Sequence, residues 1–226
     1  MSLFTAKEYR RYVRHIQLPQ VGVNGQLKLK QAHVVIVGCG GLGAPVSLYL
    51  AAAGIGKITL IDGDAVELSN LQRQITFSEQ AIGLNKAQQT AERIRAINSD
   101  ISIIAIDQHL DSGNADAIIQ DGDLILDCSD NFSTRHLINR TCKRLAQPWI
   151  YASVFQFSGQ CAVFSPYKHC YQCIYPRQPE QAIDCNSNGV LGTLPGFVGT
   201  LQANQAINYL LPVSYTHLTL PTIFAV

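Results

Sequence analysis

Apolar residues along the chain gather in short runs bounded by turn residues, and a stretch with helical spacing follows most of them. His33-Val34-Val35-Ile36-Val37-Gly38 is the first such run, and residues 42–53 form the helical stretch behind it. Lys57-Ile58-Thr59-Leu60-Ile61-Asp62 predicts a second strand, and 86–98 predicts a helix with apolar or small residues at 87, 91, 94 and 97 on one face. A third strand over 101–106, a short helix over 115–119, a fourth strand over 124–128 and a helix over 132–146 continue the alternation. Strand and helix alternating in this way predict an α/β fold of Rossmann-like type, a mostly parallel sheet with helices on both faces. Such a sheet binds ligands at the carboxyl ends of its strands.

After Pro148 the pattern changes. Residues 149–154 and 159–164 read as consecutive strands with no helix between them, an antiparallel extension in the C-terminal part. A Cys-, Pro- and Gln-rich loop over 165–188 and a Gly-containing helix over about 196–211 follow. The residues from Val213 onward break off from a helix that is still amphipathic at Leu211, and they resemble translated sequencing-adapter read-through. The expected organisation is therefore one C-terminally truncated domain over 1–212 and a non-native tail over 213–226.

Composition narrows the class. A chain of 226 residues is long enough to bury one sizeable core, and 47% hydrophobic with 15% charged residues fits a globular domain. The net charge of +1 gives no general electrostatic reason to expect nucleic acid or an anionic membrane as partner, so any anion site must be local. The N-terminus MSLFTAKEYRRYVRHIQL lacks the apolar core of a signal peptide, and no apolar run reaches membrane-spanning length, which predicts a cytoplasmic protein. The seven cysteines fit a reducing compartment. Cys39, Cys128, Cys142 and Cys161 fall within strand or helix patterns and read as buried apolar side chains, whereas Cys170, Cys173 and Cys185 lie in the late loop.

Candidate chemistry begins where the first strand ends. Ile36-Val37-Gly38-Cys39-Gly40-Gly41-Leu42-Gly43-Ala44-Pro45 carries glycines at 38, 40 and 43, the G-x-G-x-x-G spacing that makes a tight turn and lets phosphate approach the backbone at a helix N-terminus. Asp62 ends the second strand, where an acidic residue binds ribose hydroxyls. These features alone suit an NAD-dependent oxidoreductase as well as any other nucleotide enzyme, and a Gly turn with a capping Asp would be the purely structural alternative. Beyond Asp62, a loop brings Asn70, Arg73 and Gln74, and Lys86 follows 13 residues after Arg73. A guanidinium fork and an ammonium near one nucleotide suit a triphosphate, although surface salt-bridging would use the same residues. Asp127-Cys128-Ser129-Asp130-Asn131 ends the fourth strand and puts Asp130 at the same edge, where a carboxylate can hold magnesium.

The combination D-x-D-x-V-x-x-S-N-L-x-R-Q over 62–74, G-x-G-G-x-G over 38–43, Lys86, and D-x-x-D-N over 127–131 resembles the ThiF/MoeB/HesA adenylyltransferases, relatives of the ubiquitin-activating enzymes. The similarity runs from about Tyr9 to Leu211. It implies that ATP is used to adenylate the terminal Gly-Gly carboxylate of a ubiquitin-like sulfur carrier protein, with pyrophosphate released, ahead of sulfur transfer for thiamine or molybdopterin. Under it, Gly41 approaches the phosphates, Asp62 binds ribose, Asn70, Arg73 and Lys86 contact phosphates, and Asp130 organises magnesium. Arg14, in Tyr12-Val13-Arg14-His15-Ile16, matches an arginine that family members lend to a neighbouring subunit, which implies a homodimer. Cys170-Tyr171-Gln172-Cys173 matches half of a four-cysteine structural zinc site, and no second C-x-x-C follows Cys185. Cys185 matches a position where thiamine-pathway members join the carrier as an acyl persulfide; the other reading is a mobile-loop thiol. A sulfurtransferase or cysteine desulfurase is the further partner implied. A carrier-binding scaffold without catalysis stays open beside the enzyme.

Overall fold

The computed structural model describes residues 4–168, 170–176 and 189–211. Six strands form one sheet: β1 (His33–Val37), β2 (Lys57–Ile61), β3 (Ser102–Ile106), β4 (Leu124–Asp127), β5 (Trp149–Phe155) and β6 (Ser158–Phe164). Their order is β3-β2-β1-β4-β5-β6, parallel throughout except for the β5–β6 hairpin. The chain fills the sheet outward from β1 to β3, then returns to lay β4 on the other side of β1. That reversal opens a crevice at the carboxyl ends of β1 and β4, the switch point where such sheets bind ligands.

Successive side chains of a strand point to opposite faces, so the apolar run of β1 supplies two cores at once. Val34 and Ile36 join Leu50, Ile58, Leu60 and Ile94 on one face, while Val35 and Val37 join Ile61, Ile119, Ile125 and Ile138 on the other. The first core is covered by α2 (Gly22–Gln31), α3 (Gly43–Ala53), α4 (Lys86–Ile97) and a long C-terminal helix, Thr193–Leu210, here α8. The second is covered by α5 (Ala115–Ile119), α6 (Phe132–Arg144) and the short α7 (Tyr171–Ile174). Helices on both faces of a mostly parallel sheet, with an antiparallel C-terminal hairpin, are the architecture that the hydrophobic pattern predicts.

Several boundaries move for local reasons. The last helix starts at Thr193 rather than near 196, because Pro195 lies in its first turn, where a missing N–H costs no helical bond. α4 ends at Ile97 rather than at 98, since Asn98 leaves the helix to donate from Nδ2 to the Tyr12 hydroxyl (2.9 Å) and the Ala51 carbonyl (2.8 Å). α6 ends at Arg144, and Ala146 beyond it takes a φ of 55°. The helix α1 (Ala6–Ile16) and α2 are elements that the apolar runs did not separate. Thr5 and Glu8 form a reciprocal capping box at the start of α1. Within the late loop, α7 is ordered around Tyr171, whose N–H donates to Asn139 Oδ1 (3.0 Å). Cys185 and the expected tail over 213–226 lie outside the described residues. Among the described residues no helix is long and apolar enough to cross a membrane.

Candidate active site

The glycine turn is dictated by how closely β1, β4 and α3 converge. Gly38 has a φ of +94°, and a Cβ there would lie 2.8 Å from the Cys128 carbonyl oxygen at the end of β4. A Cβ at Gly43 would run into the Gly38 carbonyl oxygen, so the first turn of α3 sits directly on the turn before it. Gly40 and Gly41, between these two, line the crevice, and the positive end of the α3 dipole faces the same space. Cys39 is fully buried, and burial pushes its thiol well above the ordinary range. Cys128 and Cys142 are likewise buried with raised pKa values, and the half-buried Cys161 is pushed up to about 11. These four are inert packing groups.

Asp62 follows β2 and is tied to the turn. Its Oδ2 accepts the Cys39 N–H (2.7 Å) and its Oδ1 accepts the Asp64 N–H (2.9 Å). Burial raises its pKa, and the two backbone donors and Lys86 offset only part of that. Each carboxylate oxygen keeps a lone pair for a ligand hydroxyl. Lys86 is the first residue of α4, behind the Asn85 cap; it is mostly buried and its Nζ reaches Asp64 Oδ2 at 2.9 Å. His109, after β3, lies 3.7 Å from the other Asp64 oxygen. The S-N-L-x-R-Q segment forms a 3-10 turn, Leu68–Asn70, in which Asn70 Oδ1 caps the Glu67 N–H (3.2 Å). Arg73 Nη1 donates to the Ser69 carbonyl (3.0 Å). Gln74 is buried in a wall of the crevice, and its Oε1 has no hydrogen-bond partner among the described residues.

The end of β4 separates two aspartates by environment. Asp127 is fully buried, accepts the Ser129 N–H (3.0 Å) and hydroxyl (2.6 Å), and lies 3.4 Å from Arg135 Nε. Burial raises its carboxyl pKa, with Arg135 and Ser129 opposing. Asp130, three residues on, is exposed at the crevice with no ion-pair partner among the described residues. Asn131 then caps α6 through the Thr134 N–H (2.9 Å).

The crevice is a cavity of about 500 Å³. Gly38, Gly40, Gly41, Asp62, Arg73, Gln74, Lys86 and Asp130 all line it, so the structure brings together most of the residues singled out by motif. Of the motif residues among those described, five do not line it: Gly43 stands behind the turn, Asn70 is buried in its own 3-10 turn, Arg14 is exposed on α1, and Cys170 and Cys173 lie at α7. The cavity also has a second half that the motifs did not indicate, lined by Tyr151, Ser153 and Gln160 of the hairpin, by Tyr175, and by Arg135. Arg135 is buried against the rings of Tyr151 (4.8 Å) and Phe132 (5.3 Å), and its Nη2 donates to the Ser129 carbonyl (3.3 Å). Its place was encoded in helical spacing, since 135, 138 and 142 share the buried face of α6. The period-2 spacing of Trp149, Tyr151 and Ser153 likewise puts these side chains on one face of β5.

Cys170 and Cys173 flank Tyr171 with their sulfurs 3.0 Å apart. Tetrahedral zinc with bonds of about 2.3 Å separates its sulfurs by about 3.8 Å, a small opening of this turn. Among the described residues no third His, Cys, Asp or Glu joins them, so they supply at most two ligands.

Comparison with known proteins agrees with this geometry. The ThiF family model matches residues 12–223. The chain is 41% identical over 208 residues to the SAMP-activating enzyme E1 of Haloferax volcanii, covering 91% of this chain and 77% of that protein. It is 42% identical to the sulfur carrier protein adenylyltransferase of Thermus thermophilus, covering 93% of this chain and 80% of that one. The crystal structure of E. coli MccB with ATP superposes with a TM-score of 0.78 at 32% identity, over 89% of this chain and 64% of MccB. The chain thus spans less than two thirds of MccB's length. On the extent of the family match, the similarity to these relatives and the shared fold, the chain belongs to the ThiF family.

Proposed function

We propose that this chain transfers the adenylyl group of ATP to the terminal carboxylate of a ubiquitin-like sulfur carrier protein ending in Gly-Gly. The observation that carries this reading is one crevice holding a glycine turn, the Asp62 carboxylate, two cations at Arg73 and Lys86, and the unpaired Asp130. An NAD-dependent oxidoreductase would use the turn and Asp62 and leave Arg73, Lys86 and Asp130 without a common task.

In the proposed step a carboxylate oxygen of the carrier attacks the α-phosphorus, the bond from that phosphorus to the bridging oxygen breaks, and its electron pair departs on pyrophosphate. The carboxylate is ionised at neutral pH, so no side chain has to take a proton. What the chain supplies is alignment and compensation of the charge that grows on the phosphates. Asp62 accepts the ribose hydroxyls. Gly40 and Gly41 admit the phosphates against the backbone, and Arg73 and Lys86 neutralise them once Lys86 exchanges Asp64 for a phosphate oxygen. Gln74 offers its unpaired Oε1 to the nucleotide. Asn70, behind the crevice wall, keeps its Oδ1 in the cap and its Nδ2 at 3.4 Å from Ser69 Oγ, so it would contact phosphate only after the 3-10 turn shifts.

Asp130 fits a magnesium ion, being a hard, exposed oxygen donor with no ion-pair partner among the described residues, and magnesium held there would offset phosphate charge. Arg14, outside the crevice of its own chain, would complete the site of a second copy, making the unit a homodimer. Cys170 and Cys173 would hold one side of a structural zinc. Cys185 would be the thiol that meets the activated carrier if the pathway is that of thiamine; molybdopterin is the other destination, and a sulfurtransferase or cysteine desulfurase would supply the sulfur. A pyrophosphate-exchange assay against a panel of Gly-Gly carriers tests the proposal. Exchange that needs both ATP and an intact carrier terminus is expected. Co-purification with NAD and no exchange with any carrier would overturn it.

A further inference from the structure

The half of the cavity formed by the β5–β6 hairpin differs in chemistry from the nucleotide half. Its lining is hydroxyl, amide and aromatic, with Arg135 as its charged group, and that charge is already engaged by Asp127. Cross-strand register sets Gln160 directly opposite Ser153, and both face the cavity. Two tyrosine hydroxyls donate to Gln160 Oε1, from Tyr175 at 2.8 Å and from Tyr151 at 3.2 Å. The Tyr151 hydroxyl is itself held by Ser153 Oγ at 2.5 Å. Both tyrosine rings pack on Tyr171, which is fully buried, so the frame around Gln160 is rigid.

With Oε1 accepting twice, no hydrogen bond from the two Gln160 amide N–H groups is made among the described residues, and a donor pair held in this way suits carbonyl oxygens. A tail of glycines has no side chains to recognise; its main-chain N–H and C=O groups and terminal carboxylate are what can be hydrogen-bonded, and of these the oxygens suit a donor pair. Gln160 is also on the outermost strand of the sheet, where an incoming extended chain meets no further strand. We propose that Gln160, oriented by Tyr151 and Tyr175, donates to a main-chain carbonyl of the carrier's terminal glycines and so sets the tail in line with the α-phosphate. This rests on the carrier reading above and adds the residue that reads the tail.

Gln160→Glu tests it, because it keeps the shape and an acceptor for the tyrosines while replacing the N–H donors with an oxygen that repels both a carbonyl and a carboxylate. In pyrophosphate exchange the expected result is at least a tenfold rise in KM for the carrier, with KM for ATP within twofold of wild type. Tyr175→Phe should raise carrier KM about two- to fivefold, since it loosens the amide without removing it. Unchanged carrier KM in Gln160→Glu with an active wild type overturns this inference alone. So does a rise in KM for ATP instead, which would place Gln160 on the nucleotide, or a uniform loss of kcat with a lowered Tm, which would make it structural. A wild-type chain inert with every Gly-Gly carrier overturns the adenylation reading and this inference together.

Discussion

Lys86 is held by Asp64 in the free chain, at the mouth of a crevice whose nucleotide half also holds Arg73, which donates to the Ser69 carbonyl. Each is an ion parked beside the place where phosphates would sit. Lys86→Ala should lower kcat/KM for adenylation by about 10²-fold, the usual loss when one preorganised charge is removed from a developing anion. Asp130→Ala should abolish exchange while moving stability by no more than about 0.5 kcal/mol, because the side chain is exposed. Thermal unfolding beside the exchange assay checks both halves of that statement. Asp62 carries a raised pKa, so on acidification it gains its proton earlier than an ordinary carboxylate and loses acceptor capacity for ribose. KM for ATP should therefore climb as pH falls, starting above the usual value of about 3.9, and Asp62→Asn should show no such limb. These residues were legible because the family motif fixes residue type and spacing together. Arg135 and Gln160 were not, since their meaning comes from a buried helix face and a cross-strand partner, contacts between segments that the sequence alone does not pair.

At the scale of elements, the turn between β1 and α3 has the least freedom. Gly43→Ala puts a methyl into the Gly38 carbonyl and must push α3 off the sheet. Loss of about 2 kcal/mol or more of stability is expected, with ATP binding lost before folding, which denaturant unfolding with and without nucleotide would separate. The apolar runs of β1, β2 and β4 could be read directly because strands covered on both faces leave little room for polar residues. α1 escaped that pattern since Lys7, Arg10, Arg11 and Arg14 are interleaved with its apolar positions; the signal available was the Thr5-x-x-Glu8 capping box. α7 is too short for any periodicity, and tertiary contacts made by Tyr171 order it.

For the whole molecule, the exposed Arg14 and the single-chain crevice make a quantitative claim about assembly. If Arg14 serves a second copy, Arg14→Ala and Asp130→Ala chains are each inactive, yet a mixed dimer has one site with both residues intact. Equal mixing with exchange of subunits should restore about one quarter of wild-type activity, and chains that act alone would restore none. The most direct measurement follows the phosphorus itself. ATP labelled at the α-phosphorus, incubated with the chain, magnesium and a Gly-Gly carrier, should transfer its label to the carrier, with none transferred from γ-labelled ATP or to a carrier lacking its last glycine. Label that reaches the carrier from the γ position, or that never reaches it from the α position with any carrier, would contradict adenylation.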